Sequence, residues 1–82
     1  MIRNVKEAYS AASAVYGPEG AYLLGDVVFE NDDFFVVGAN LAIEGALPVA
    51  VSKSTGETEK WHFTNSRREL FFSGDYATHA AR

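Results

Sequence analysis

The pattern of apolar and polar residues is clearest between Asp26 and Gly38, where two apolar runs flank one polar group. The runs are rich in β-branched and aromatic residues, and the group between them is Glu30-Asn31-Asp32-Asp33. Asn and Asp tolerate positive φ and hydrogen-bond their own backbone, so this group predicts a tight turn between two antiparallel strands. Large apolar side chains occupy both faces of both runs. We therefore expect this hairpin to lie inside a sheet that is covered on at least one side.

An amphipathic helix is predicted from residue 4 to residue 16. Asn4 can cap its N-terminus, and Glu7 can return a hydrogen bond to the Asn4 backbone in a capping box. Four alanines favour the helix and allow it to lie close to a sheet. Gly17-Pro18 ends the helix, because Pro cannot donate and Gly suits the left-handed turn. The apolar stripe consists of Val5, Ala8, Tyr9, Ala12, Val15 and Tyr16.

Four strands are predicted, at residues 21–30, 34–39, 48–53 and 57–64. Gly25-Asp26 predicts a bulge or bend inside the first strand. Pro48 begins the third strand, where it removes no ladder hydrogen bond, and Gly56 supplies the positive φ of the turn that follows. The fourth strand alternates cleanly, so its Trp61 and Phe63 are expected on the core-facing side.

The segment 40–47 is ambiguous, because it is too apolar for a plain solvated loop and short for a helix. A helical turn ending at Gly45 and a loop folded across the end of the sheet both fit it. Residues 65–72 fit a short helix or an edge strand, and we favour a helical turn that docks Leu70 and Phe71 or Phe72 on the core. Residues 76–82 are expected to continue as a frayed helix.

These elements predict an α+β fold in which the N-terminal helix packs on a curved four-stranded antiparallel sheet, followed by a short C-terminal helical turn. A chain of 82 residues is expected to form one domain, 1–82. It contains no cysteine, which excludes disulfides, a thiol nucleophile and a thiolate metal site. We find neither a signal-peptide pattern nor an apolar run of about 20 residues, so we expect a cytoplasmic protein.

Charge is distributed unevenly along the chain, whose net charge is −4. Between Glu19 and Glu59 there are eight acidic residues and one basic residue, Lys53. An acidic sheet repels phosphate, so a nucleic-acid partner is not expected. A basic partner protein would instead be attracted and oriented by it. The alternative is ordinary solubilising charge on exposed edges and turns.

Candidate catalytic and metal-binding residues are few. His62 and His79 are the only imidazoles. His62 lies on the polar side of the fourth strand, where it could approach Ser52 or Ser54, although a histidine on such a face is usually solvated. The spacing of His62 and His79 relative to the carboxylates matches no recognisable metal site. The acidic turn with Glu30, Asp32 and Asp33 lacks the ligand pattern of a calcium loop. We therefore expect no metal and no cofactor.

The segment Leu47-Pro48-Val49-Ala50-Val51-Ser52-Lys53-Ser54-Thr55-Gly56-Glu57 resembles the pattern of the immunity protein 35 family of bacterial toxin systems. That pattern has a Pro-led apolar strand, a Lys-x-x-Gly turn and a further strand, and Phe34-Phe35-Val36-Val37-Gly38 stands where the family has an aromatic-rich hairpin. The chain departs from it at Ser52, where the pattern has an acidic residue, and in lacking a Pro-Leu-acidic helix in its tail. The resemblance implies a small cytoplasmic bacterial protein that neutralises a toxin by binding it and has no catalytic residues.

We therefore expect a non-enzymatic protein-binding module that uses acidic sheet and turn groups against a basic protein partner. Trp61 is the candidate anchor unless it belongs to the core. One alternative is a homodimer or larger homo-oligomer formed through a strand edge or the 40–47 segment. Another is a small ligand-binding domain or enzyme with His62 in a cleft. No membrane partner is expected. The predicted rim contacts are Glu30, Asp32, Asp33, Glu57 and Glu59.

Overall fold

The computed structural model describes residues 2–81, so Met1 and Arg82 lie outside the described range. Within that range the chain forms two α-helices, one 3-10 turn (Ala21–Leu23) where the start of the first strand was predicted, and one five-stranded antiparallel sheet, which confirms the predicted α+β class. Neither helix is both long and apolar enough to cross a bilayer. In chain order the elements are helix α1 (Val5–Tyr16), strands β1 (Leu24–Glu30), β2 (Phe34–Ala39), β3 (Val49–Ser52) and β4 (Thr58–Lys60), helix α2 (Ser66–Ser73) and strand β5 (Ala77–Ala80).

The sheet has the strand order β4-β3-β2-β1-β5. The first four strands form a meander, because each is joined to its neighbour by a short connection or loop. The β1–β2 turn is the predicted one, and Asn31 Oδ1 accepts the backbone N–H groups of Asp33 and Phe34. After α2 the chain returns to place β5 beside β1. The hairpin on which the sequence pattern centres therefore lies inside the sheet, as predicted.

Helix α1 covers one face of the sheet and begins where the sequence predicts. The Asn4 side chain accepts the N–H of Glu7, and Gly17 ends the helix with a φ of 75°. Glu7 Oε1 accepts the backbone N–H of Arg3 at 3.0 Å instead of that of Asn4, so the return bond of the predicted capping box goes to the residue before the cap. The alanine face is fully buried, with Ala8 and Ala12 packed against a layer of Leu24, Val28, Phe35, Val37, Val49 and Val51.

Helix α2 and a set of aromatic rings cover part of the opposite face. Trp61 is 1% exposed and packs with Val36, Ala50 and Phe71, so it belongs to the core. The Trp61 and Phe71 rings lie 5.8 Å apart between centroids, and Phe71 stacks on Tyr76 at 5.6 Å. Helix α1 therefore covers one face of the sheet and α2 part of the other, and the two faces have separate apolar cores.

The predicted irregularity at Gly25-Asp26 is present. Leu24 pairs with Ala39 while Val28 pairs with Val37, so four steps along β1 match two along β2. A Cβ atom on Gly25 would lie 2.7 Å from the Ala39 carbonyl oxygen. The two backbones approach closely here only because residue 25 has no side chain.

Three predictions about the second half of the chain are wrong. The fourth strand ends at Lys60 instead of residue 64, which leaves Phe63 81% exposed instead of in the core. Helix α2 docks Phe71 and part-buried Phe72, but Leu70 is 72% exposed. The tail is a strand rather than a frayed helix, since β5 pairs with β1 and gives the sheet its fifth member; Arg82 lies outside this comparison.

The ambiguous segment 40–47 is a loop built from turns and contains no helix. It is anchored at both ends: Asn40 donates to the Tyr22 carbonyl at 2.8 Å, and the Tyr16 hydroxyl donates to the Leu47 carbonyl at 3.0 Å. Leu41 is 98% exposed, whereas Ile43 and Leu47 are partly buried. The loop is thus held across the end of the sheet by helix α1 and the segment that precedes β1.

Candidate functional site

The β1–β2 turn and the connection between α2 and β5 line an open, shallow cavity of about 660 Å³. We call it the acidic cavity, because four carboxylates line it and Lys53 is its single basic group. The remainder of its wall consists of Asn31, Gly74 and apolar or aromatic side chains, with Tyr76 and Phe71 among them. The carboxylates are those of Glu30, Asp32, Asp33 and Asp75.

Glu30 has a structural role at the inner end of the acidic cavity. Its Oε2 accepts Lys53 Nζ at 2.6 Å, and its Oε1 lies 2.8 Å from His79 Nε2. Because an ionised carboxylate can only accept, Nε2 of His79 carries the proton in this pair. The hydrogen bond from Lys53 lowers the pKa of Glu30; partial burial opposes this, and the bond to His79 lowers the pKa further. Glu30 is therefore ionised at neutral pH and already satisfied by its own chain.

The other three carboxylates of the acidic cavity are exposed and available. Within residues 2–81, the side chains of Asp32, Asp33 and Asp75 form no salt bridge and no hydrogen bond. They stand at the outer edge of the cavity, on two connections that are far apart in sequence. This is the strongest uncompensated charge at either cavity that we describe.

Asp75 is a residue that the sequence interpretation missed. It follows α2 in the Ser73-Gly74-Asp75 break, which the sequence shows only as a helix end. The return of β5 beside β1 carries Asp75 to the β1–β2 turn, where both line the acidic cavity. Asp75 could have been placed at this site only if residues 77–80 had been predicted as a strand beside β1.

Three of the predicted contact residues lie elsewhere. Glu57 is exposed near the turn before β4 and does not line the acidic cavity. Glu59 accepts the indole N–H of Trp61 at 2.6 Å and forms a salt bridge with Arg67 at 3.1 Å. Trp61 is buried, so in this structure it offers no anchor to a partner. The Glu59 pairings connect β4 to α2, and the predicted contact roles of these three residues stay predictions.

A second cavity, of about 830 Å³, lies on the sheet face that α2 leaves partly open. Its wall is mainly apolar, and it includes the exposed side chains of Tyr22, Val27 and Leu41. Gly25 and Gly38 also line it, so part of its floor is backbone. Asp26 and Arg68 are the two charged residues in its lining.

His62 lines neither of these cavities and is exposed in the connection after β4. Ser52 and Ser54, its proposed neighbours, contact one another at 3.3 Å between their hydroxyl oxygens. Within residues 2–81, no group of three or more His, Asp or Glu side chains is arranged to hold a metal ion. Within the described part of the chain, the His62 ring therefore forms no hydrogen bond or salt bridge through which it could act.

Comparisons with protein-family models, with curated proteins and with solved structures found no match to this chain. The resemblance of residues 47–57 to the immunity protein 35 family therefore stays a prediction. In the structure this segment is strand β3 after Pro48, a turn at residues 53–56 and the approach to β4. Gly56 has a φ of 76°, which explains why a glycine is needed at the end of the turn.

Proposed function

We propose that this chain is a non-enzymatic binding module that holds a basic partner protein through the acidic cavity. The observation that carries the proposal is the position, around one concave surface, of three exposed carboxylates that pair with no side chain among residues 2–81. These carboxylates belong to Asp32, Asp33 and Asp75. A convex charged surface would suit solubility alone, whereas a concave one of about 660 Å³ has room for a side chain of the partner.

The chemistry of the wall favours a Lys or Arg side chain from that partner. Carboxylates would accept its N–H groups in charge-assisted hydrogen bonds. The partly exposed Tyr76 ring and the apolar Leu70 side chain would pack against its methylene stem. An aromatic ring also attracts a cation held over its face, and Lys53 already lies 4.8 Å from the Phe35 ring centroid in this chain.

The resemblance to the immunity protein 35 family suggests which kind of partner this is. We propose that it is a bacterial toxin, which the chain neutralises by occupying a basic region of the toxin surface in the cytoplasm. Binding of this kind needs no nucleophile, metal or cofactor. It requires instead that a charge pattern on one protein matches that of the other, which raises the association rate and excludes wrong partners.

The proposal is tested by affinity purification from native lysate with three immobilised forms of the chain, followed by quantitative mass spectrometry. The test variant is Asp32→Lys with Asp33→Lys. The control is Glu19→Lys with Glu44→Lys, which makes the same change in net charge at exposed acidic residues outside the acidic cavity. We expect a basic protein to be retained by the wild type and the control and lost from the test variant, with affinity reduced about tenfold or more.

Salt provides the second readout, because raising it from about 50 mM to about 300 mM shortens the screening length and weakens exposed charge pairs. Retention should fall accordingly in the wild type and the control. A partner that binds the test variant equally well, or whose binding ignores salt, would show that the acidic cavity is not the binding surface. Recovery of no partner at all would count against the whole proposal.

A further inference from the structure

Strand β5 is an edge strand with almost no protection against pairing. Ala77, Thr78 and Ala80 are exposed, His79 is partly buried, and the strand contains neither a formally charged residue nor a proline. The opposite edge of the sheet, β4, carries Glu59 and Lys60. Charged residues on an edge discourage the addition of another strand. The sheet is therefore protected at one edge and bare at the other.

The register shows which backbone groups of β5 face outward. Ala81 N–H donates to the Asp26 carbonyl at 2.7 Å, and His79 pairs with Val28 two residues earlier. Hydrogen-bonded and non-hydrogen-bonded pairs alternate along an antiparallel ladder. Residues 77, 79 and 81 therefore use their backbone groups toward β1. The N–H and C=O groups of Thr78 and Ala80 point away from the sheet.

We propose that β5 pairs antiparallel with β5 of a second copy of this chain, around a two-fold axis at His79. In this register Thr78 of each copy faces Ala80 of the other, and the two pairs form four backbone hydrogen bonds. Ala77 faces Ala81, and the two His79 residues lie opposite each other. Over residues 77–81 every side chain of the strand itself is small or an imidazole, so no bulky side chain of β5 blocks the approach.

Two features favour a second copy over an extended segment of another protein. Pairing joins the two sheets into one of ten strands, whose outer edges are both β4, the charged strand. The assembly is then closed, because no bare edge is left for a third copy. The antiparallel direction also separates like charges, since the acidic cavity lies at the Ala77 end of β5 and the two cavities are placed at opposite ends of the junction.

Sedimentation velocity over about 10 μM to 1 mM protein tests the pairing. We expect a dimer for the wild type and an apparent Kd at least tenfold higher for Thr78→Pro, because Pro removes an outward N–H while the ladder to β1 is kept. Thr58→Pro is the matched control. By the same alternation Thr58 N–H points outward from β4, since Ser52 N–H donates to Glu57 O and Trp61 N–H donates to Pro48 O. Dimerisation of this variant should be unchanged.

A crosslink gives a second measurement should Thr78→Pro fail to fold. The chain has no cysteine, so His79→Cys introduces a single thiol at the proposed axis. A non-hydrogen-bonded antiparallel pair has Cα atoms about 4.5 Å apart, which is within the range of a disulfide. Mild oxidation should give a covalent dimer with His79→Cys and little with Thr58→Cys.

A wild-type chain that stays monomeric at about 1 mM would overturn the proposal. So would a dimer that is unaffected by Thr78→Pro and not crosslinked by His79→Cys, because its interface would lie elsewhere. The Asp32→Lys, Asp33→Lys chain is expected to dimerise like the wild type. Dimerisation and partner binding can therefore succeed or fail independently.

Discussion

Gly25 is a residue whose identity is tightly constrained by the backbone of the neighbouring strand. A Cβ atom at this position would lie 2.7 Å from the Ala39 carbonyl oxygen and 3.3 Å from that of Gly38, and both are backbone atoms that cannot rotate away. We expect Gly25→Ala to force β1 and β2 apart at the bulge and to lower the free energy of unfolding by about 1–3 kcal/mol. Urea denaturation followed by Trp61 fluorescence measures this change.

The control is Gly74→Ala, at the end of α2. A Cβ there would meet its nearest atoms at 3.7 and 3.9 Å, which is ordinary contact, and the residue has a φ of −97°. Its free energy of unfolding should stay within about 0.5 kcal/mol of the wild type. Equal effects of the two substitutions would show that β1 and β2 do not depend on their close approach at Gly25.

At the scale of elements, the position of helix α1 depends on its alanine face. Ala12 is fully buried against the sheet, whereas Ala14 on the same helix is exposed. Leucine is nearly as good a helix former as alanine, so a leucine at either position changes packing more than propensity. We expect Ala12→Leu to lower the free energy of unfolding by about 1–3 kcal/mol and Ala14→Leu to change it by less than about 0.5 kcal/mol.

Thermal or urea unfolding of the two leucine variants measures that difference. Far-ultraviolet circular dichroism should show similar helix content in both, which separates a packing defect from loss of the helix. An Ala12→Leu chain as stable as the wild type would mean that α1 lies further from the sheet than the structure places it.

Elements specified by local signals were predictable from the sequence, and those specified by distant pairing were not. Helix α1 has a cap, a periodic stripe and a terminating glycine within its own residues, and the β1–β2 hairpin has its turn residues between its strands. Residues 77–80 have no such signal, because Ala-Thr-His-Ala becomes a strand through its pairing with β1. The alternation of apolar and polar residues as far as Phe63 predicted a longer β4, but the chain leaves the sheet after Trp61 and begins α2 at Ser66.

The same distinction applies to the candidate site. Asp32 and Asp33 were predictable because they are polar residues at a turn between apolar strands. Asp75 joins them only through the path of β5, and Glu59 is paired with Arg67, a residue of α2 eight positions later in the chain. Sequence indicates which acidic residues exist, but tertiary pairing decides which of them remain available to a partner.

At the scale of the whole molecule, Glu30 connects three strands of the sheet. It ends β1, its partner Lys53 directly follows β3, and its partner His79 belongs to β5. Lys53 also joins the β1–β2 turn through its N–H, which donates to the Asp33 carbonyl at 2.9 Å. This small network therefore holds the last strand and the acidic cavity in one arrangement.

The pH dependence of stability follows from the lowered pKa of Glu30. A carboxyl whose pKa is lower in the folded than in the unfolded chain stabilises the fold above its unfolded value. That contribution is lost as the pH falls through the lower folded value. We therefore expect Glu30→Gln to be less stable than the wild type at pH 7, and the difference between the two chains to shrink as the pH falls below about 4.3. Urea denaturation of both chains at about pH 7, 5 and 3 measures it.

Glu57→Gln is the matched control for this measurement. It removes the same charge from an exposed carboxylate, in the turn before β4, whose side chain forms no salt bridge within residues 2–81. At each pH, the free energy of unfolding of Glu57→Gln is subtracted from that of Glu30→Gln, which removes the general effect of net charge. The remainder should be negative at pH 7, since Glu30→Gln alone loses the ion pair with Lys53 and the hydrogen bond between the Glu30 carboxylate and His79. A remainder that does not change between pH 7 and pH 3 would mean that Glu30 acts through packing, and that the bonds of its ionised carboxylate do not hold β5 in place.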